Sequence, residues 1–149
     1  MRNVMEATRI ASLGPEQCRQ LLATQAVGRL GFVSGGVPDV LPVNYVLDGD
    51  AVVFATSPGS KLWGAARSPV AFEVDFVDVA TRSGWSVVVH GLAQEITDAD
   101  GESLRRRLAA LPLAPWPGGH RHHLVRIPTF SVTGRCVGLP VMPWTAMRP

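Results

Sequence analysis

The sequence predicts a mainly β domain, an antiparallel barrel with helices at its rim, and three observations carry that reading. Six apolar segments, at residues 29–33, 37–47, 51–56, 70–79, 85–96 and 124–133, follow one another with short joins over most of the chain. Two of the joins, Ser34-Gly35-Gly36 and Asp48-Gly49-Asp50, are tight turns, and strands joined so closely run antiparallel. Helical spacing occurs at the start, in one crossover and before the last strand, too few crossovers for a parallel sheet. Sheets of this kind hide their edges by closing into a barrel or by pairing with a second subunit.

Composition narrows the function. A chain of 149 residues, 46% hydrophobic and 17% charged, suits one domain over residues 1–149, with 1–11 and 135–149 as extended termini. A net charge of +2 without a basic, aromatic-interleaved stripe argues against a nucleic-acid partner. Arg105-Arg106-Arg107 follows Asp98, Asp100 and Glu102, so acid first and base last complement a helix dipole on a solvated face. Residues 1–11 carry Arg2, Glu6 and Arg9 without a continuous apolar run, so neither a signal peptide nor a membrane span is expected, and the expected location is cytoplasmic. Cys18 and Cys136, lacking metal-ligand spacing, read as reduced thiols.

The elements follow in order. Ser12, Pro15 and Glu16 suit a helix start, and Cys18, Leu21, Leu22, Gln25 and Ala26 keep helical spacing until Gly28 stops it. In residues 37–47, Leu41, Val43, Tyr45 and Leu47 fall on one face and Val40, Pro42, Asn44 and Val46 on the other. Ser68-Pro69 breaks the chain before residues 70–79, where Val70, Phe72, Val74 and Phe76 are expected inward and Glu73 and Asp75 outward. Gly84 opens a long strand through Trp85, Ser86, His90 and Ile96; Asp98 then caps a helix with Leu104, Leu108 and Leu111 on one side. Residues 112–119 read as a Pro/Gly-rich loop around Trp116, and 124–133 as a last strand with Pro128 at an edge or bend.

Residues 54–63 interrupt this apolar pattern. A strand ending at Thr56 meets turn chemistry in Ser57-Pro58-Gly59, and Ser60 can cap a helix through Lys61, Leu62 and Trp63. The free N–H groups of a helix start, three hydroxyls and one ammonium make a phosphate seat; the alternative is a capped helix with a solvated lysine. The glycine spacing of a Walker loop is absent. His120, His122 and His123 have a spacing that binds metals by chance but lack opposing ligands, so no metal site is expected. No Ser-His-Asp set or paired-carboxylate motif stands out.

Gly28-Arg29-Leu30-Gly31-Phe32, Pro42-Val43-Asn44-Tyr45, the run from Phe54 to Lys61, and Trp85-Ser86-Val87-Val88-Val89-His90-Gly91-Leu92-Ala93 occur in this order. Together they resemble the pyridoxamine 5'-phosphate oxidase-like flavin-binding split barrels over roughly residues 12–134. Val125-Arg126-Ile127-Pro128 and Val132-Thr133-Gly134-Arg135 look like small bacterial members. The resemblance implies a homodimeric split barrel with two flavin sites at its interface. It places Pro42, Val43 and Asn44 along the ring, Ala55 and Thr56 on the ribityl chain, Ser60 and Lys61 on the phosphate, and Ser86 with Trp85 on the far side. Trp116 could cover the ring or pack on its own barrel.

The activity so implied is FMN-dependent oxidoreduction of a small organic acceptor, with the cofactor carrying the chemistry. A true pyridoxamine phosphate oxidase is not expected: the arginine-bearing C-terminal segment of the namesake has no counterpart before Pro149, and Leu62 stands where a second basic residue often follows the lysine. Two alternatives stay open. A deazaflavin coenzyme would need further cations, for which Arg29, Arg67 and Arg121 are candidates; a non-enzymatic haem or flavin carrier would use His90 or the histidines at 120–123. His90 is otherwise an interior histidine or a flavin neighbour.

Overall fold

The computed structural model describes residues 10–56, 69–97, 101–111, 123–128 and 131–138. These form strands β1 (Ile10–Leu13), β2 (Val27–Ser34), β3 (Val37–Asp48), β4 (Ala51–Thr56), β5 (Pro69–Asp78), β6 (Ser83–Leu92), β7 (Gln94–Glu95), β8 (His123–Ile127) and β9 (Ser131–Val137). Two helices, α1 (Pro15–Leu22) and α2 (Gly101–Ala109), complete them. Every pairing is antiparallel, in the order β1-β9-β6-β5-β2-β3-β4-β8-β7. The β2–β3 turn uses Gly35 and Gly36 at φ 58° and 77°, a backbone region closed to most side chains.

The alternating apolar residues explain why this sheet curls. Leu30 and Phe32 of β2, Tyr45 of β3, Val52 and Phe54 of β4, Phe72 and Val74 of β5, Val87 and Val89 of β6, and Val125 and Ile127 of β8 all share one buried core. Strands far apart in the sheet order can meet in this way only if the sheet folds back on itself, giving the antiparallel split barrel. Helix α1 adds Cys18, Leu21 and Leu22 to the same core. A second cluster lies outside the sheet, where Leu104 and Leu108 of α2 cover Val53 and Leu124 beside Ile96. Arg105, Arg106 and Arg107 face solvent, and Arg107 donates to the Leu47 carbonyl.

β3 divides its pairing. Residues 37–44 pair with β2 and residues 45–48 with β4. Tyr45 stands at the change: its N–H donates to the Ala26 carbonyl at 3.0 Å, its phenol donates to the Leu22 carbonyl, and its ring meets Phe72 edge-on with centroids 5.0 Å apart. Burial pushes the phenol well above its ordinary pKa, so it stays a hydrogen-bond donor.

Several expectations change. α1 ends at Leu22 rather than near Ala26, because Thr24 turns its N–H and its hydroxyl onto the Leu21 carbonyl; Gly28 lies inside β2. The long segment after Gly84 stops at Leu92, and β7 follows as a separate two-residue strand. The last segment is two strands. β8 pairs with β4 and β7, and β9 with β6 and β1, with Pro128, which lacks an N–H, between them. β1 and the end of β9 therefore take residues read as extended termini into the sheet. Phe76 is exposed rather than inward, since it lies at the sheet end beyond the core and its cross-strand partner Trp85 fills the last apolar position. The proposed cap at Asp98 lies outside the described residues. None of the helices among them is long and apolar enough to cross a membrane.

Among the described residues, no helix covers the outer face of β2, β5, β6 and β9. Its register sets Arg29 opposite Glu73, Glu73 opposite Val88, Asp75 opposite Ser86 and Ser86 opposite Arg135. Arg29 Nη1 donates to both Glu73 Oε2 and Asp75 Oδ1 at 3.2 Å. Burial, then the neighbouring Asp75 carboxylate, hold the Glu73 carboxyl above its ordinary range against the opposing pull of Arg29.

Two stability predictions follow from these contacts. A Cβ on Gly28 would lie 2.3 Å from Phe72 Cζ and 3.0 Å from the Glu73 carbonyl, so Gly28→Ala is expected to cost about 1–3 kcal/mol, read as a lower urea midpoint at unchanged slope. Ionised Glu73, with its folded pKa raised, opposes folding at neutral pH, and that opposition fades as pH falls through the raised folded value and is gone below the unfolded value. Glu73→Gln should therefore be more stable than the parent at pH 7, its margin narrowing through the ordinary glutamate range; a margin that widens on acidification would contradict the assignment.

Candidate cofactor groove

The divided pairing of β3 opens a groove. Backbone groups alternate along an antiparallel strand, and the bond from Tyr45 N–H to Ala26 fixes the sense: odd-numbered residues point toward β2. The peptide groups of Val40, Pro42 and Asn44 therefore turn to the other edge. Among the described residues, no strand pairs with that edge along 37–44. Pro38 and Pro42 both sit at positions facing it, where a missing N–H interrupts no ladder. Continuing the β3–β4 register brings Asn44 level with Ala55 and Val43 level with Thr56, where the two strands have ceased to pair.

Thr56 ends β4 and closes this groove. It is 8% exposed, and its Oγ1 is buried without a hydrogen-bond partner among the described residues. A buried hydroxyl in that state costs about 1–3 kcal/mol unless something supplies the bond. Ala55 faces the other way and packs under α2. On the far side of β4, Thr56 pairs in register with His123, whose Nδ1 lies 2.7 Å from Glu95 Oε1.

The expected site residues divide accordingly. Pro42 and Asn44 lie on the outward face of β3 and Val43 packs against the core, with the backbone of all three beside the groove and Thr56 at its end. Ser60, Lys61 and Trp116 lie outside the described residues, as do Arg67, Arg121, His120 and His122. Trp85 and Ser86 point to opposite faces of β6: Trp85 is in the barrel core and Ser86 on the outer face, so the two do not form one wall. Two strands, β2 and β5, separate Ser86 from Pro42, about 14 Å at ordinary strand spacing.

Charge is sparse here. Arg29 is held by two carboxylates, which offsets its charge toward a ligand. His90 is exposed on the outer face, which removes the reading of an interior histidine. Nothing in the described part of the groove is arranged as nucleophile and base. The open edge offers mainly carbonyl acceptors, since Pro38 and Pro42 have no N–H and the Val40 N–H donates to Asp39 Oδ1 at 2.8 Å, and Thr56 offers a hydroxyl to a polyol or ester chain. Sequence reasoning missed the open edge itself and the His123–Glu95 pair. The prolines at 38 and 42, two apart on one strand edge, are the signal that could have shown the first; the second joins residues distant in sequence and has no local signal.

Comparison with known proteins agrees with this architecture. The family profile described as pyridoxamine 5'-phosphate oxidase matches residues 14–136. Uncharacterized protein Rv0080 of Mycobacterium tuberculosis is 34% identical over 134 residues, covering 86% of each chain. The FAD binding protein from Mycobacterium smegmatis superposes with a TM-score of 0.66 at 29% identity, over 86% of this chain and 98% of that one. An FAD-binding protein from Mesorhizobium loti gives 0.71 at 29% identity, over 85% and 97%. With strand order, groove and profile in agreement over most of its length, the chain belongs to the pyridoxamine 5'-phosphate oxidase family.

Proposed function

We propose that this chain is a flavin-dependent oxidoreductase that holds the FMN moiety in the groove between the open edge of β3 and the end of β4. The observation that carries the reading is the Thr56 hydroxyl, buried and without a partner among the described residues, immediately before Ser57-Pro58-Gly59-Ser60-Lys61 in the sequence. The residues present fit the group. Pro42 and Asn44 meet the polar edge of the ring through their backbone, Thr56 the ribityl chain, and Ser60 and Lys61 the phosphate. Bound flavin supplies hydride or electron transfer to a small organic acceptor. The chain orients the ring, excludes water beneath it with the buried residues of β3 and β4, and provides no acid, base or nucleophile from the described groove. The FAD-binding neighbours support a flavin in general; FMN is the form a single phosphate seat takes.

The same reading makes the active unit a homodimer. Ser86 is too far from Pro42 on one barrel to share a ligand with it, whereas Ser86 of a second copy packed on the outer face, which no helix among the described residues covers, can approach the groove. Val33, Val37, Val40 and Leu41 are exposed around the β2–β3 hairpin, as apolar residues at an interface would be. Two free thiols, Cys18 and Cys136, suit a cytoplasmic setting.

Absorption spectra of the purified protein, then titration with FMN, FAD, the deazaflavin coenzyme and haemin, test the cofactor. Tight FMN uptake is expected, and Lys61→Ala should weaken it about ten- to a hundredfold with the fold intact; unchanged affinity would remove the phosphate assignment. Thr56→Val should raise the stability of the flavin-free protein by about 1 kcal/mol while weakening flavin binding. A stabilised variant with unaltered affinity would mean that the hydroxyl faces no cofactor. Light scattering on a sizing column is expected to return twice the monomer mass.

A further inference from the structure

We infer that a second copy of this chain packs on the outer face about a two-fold axis running between β2 and β5, and that the partner's Arg135, with the hydroxyls beside it on β9, stands over the open edge of β3 as the hydrogen-bond donor of the groove. The inference rests on the flavin and homodimer readings above and gives them an axis and a strand that they do not use. Register supplies the geometry. One row across the outer face runs Pro42, Arg29, Glu73, Val88 and Thr133, each one strand from the next. Continuing the β2–β5 register sets Val27 beside Asp75, so a neighbouring row runs Asn44, Val27, Asp75, Ser86 and Arg135. Within one chain Arg135 lies four strand spacings from Asn44, about 19 Å, too far to share a ligand with it. A two-fold axis along the strands, midway between β2 and β5, lays positions equally distant on its two sides face to face. Arg29 then meets the partner's Glu73, and Glu73 the partner's Arg29. Gly31 meets the partner's Ala71, so small residues lie where the sheets cross. Asn44 meets the partner's Ser86, and the partner's Arg135, one strand further out, stands beside β3 at the position that no described strand fills.

Charge favours this axis. Arg29 spends only Nη1 on Glu73 and Asp75, which leaves Nε and Nη2 for a second carboxylate. An axis on β5 would set Glu73 against the partner's Glu73, one on β2 would set Arg29 against the partner's Arg29, and one on β6 would leave β3 outside the contact. The groove also lacks what β9 holds. Its edge presents mainly carbonyls, so a flat ligand with acceptor atoms on its rim needs donors from elsewhere. Ser131, Thr133 and Arg135 alternate with Val132, which packs on the core, and with buried Gly134, so all three side chains leave the outer face, and all three are exposed. Arg135, unlike Arg29, has no ion pair among the described residues. Two hydroxyls and a guanidinium at alternate positions of a strand match the spacing of the carbonyls they face.

Mixing two variants tests the axis. Arg29→Glu and Glu73→Arg each set like charges across it, and each alone is expected to elute as a monomer by light scattering on a sizing column. Mixed one to one they should return the dimer mass, because unlike charges then meet at both contacts. The pairs inside each chain are the same before and after mixing, so recovery reads the contact between copies alone. Single variants that stay dimeric, or monomers that ignore each other, would overturn the axis. Arg135→Gln tests the groove in a side chain that bonds nothing described in its own chain. It is expected to keep the dimer mass and a thermal midpoint within a few degrees of the parent, and to weaken FMN about tenfold by quenching of flavin fluorescence. Unaltered FMN affinity in that variant would overturn the donor role. A parent that dimerises in this way but takes up no flavin would overturn the cofactor reading and the donor role with it; a parent that takes up flavin while the mixed variants stay apart would overturn this inference alone.

Discussion

Tyr45 is the constraint on which the rest of this barrel depends. One side chain and its own N–H tie α1, the end of β2 and the core ring of Phe72 to the point where β3 changes partners. Its phenol satisfies a carbonyl at the C-terminus of α1 that would otherwise be buried without a donor. The close approach of Gly28 to the Phe72 ring belongs to the same arrangement, because only a residue without a Cβ lets β2 lie so near. From this one junction the two halves of the sheet diverge, and the groove is the gap they leave.

Much of the barrel was legible in the sequence. Period-two alternation marked which residues of β3 and β5 face the core, and glycine turns marked the hairpins, since both signals are local and strong. What escaped was set by tertiary partners. Apolar content runs from Leu124 to Thr133, so nothing but Pro128 hinted that β8 and β9 lie on opposite sides of the sheet. Ile10–Leu13 has too little pattern to announce itself and becomes a strand because β9 offers it an edge. The expected site residues were chosen by type and not by direction: adjacent positions such as Trp85 and Ser86 necessarily part company on a strand, one into the core and one outward.

The electrostatics of the outer face follow from an economy of charge. Arg29 is shared by two carboxylates, and burial with the neighbouring Asp75 carboxylate leaves Glu73 hard to ionise in spite of it. Polar groups thus lie across a face with little net field, beside small residues such as Gly31 and Ala71. That combination permits close approach of another sheet without the desolvation cost of lone charges. The groove shares this restraint: its described part offers backbone dipoles and one hydroxyl in place of titrating side chains.

Pro38 and Pro42 give the open edge of β3 a further property. An unpaired strand edge invites any extended chain to add to it, and runaway addition of that sort ends in aggregates. A proline at alternate outward-facing positions denies an incoming strand the regular series of donors it would need to zip along the edge. A compact heteroaromatic ring needs no such series, since one or two well-placed groups suffice. The prolines therefore act as a filter on shape, closing the edge to polypeptide while leaving it accessible to a small planar molecule.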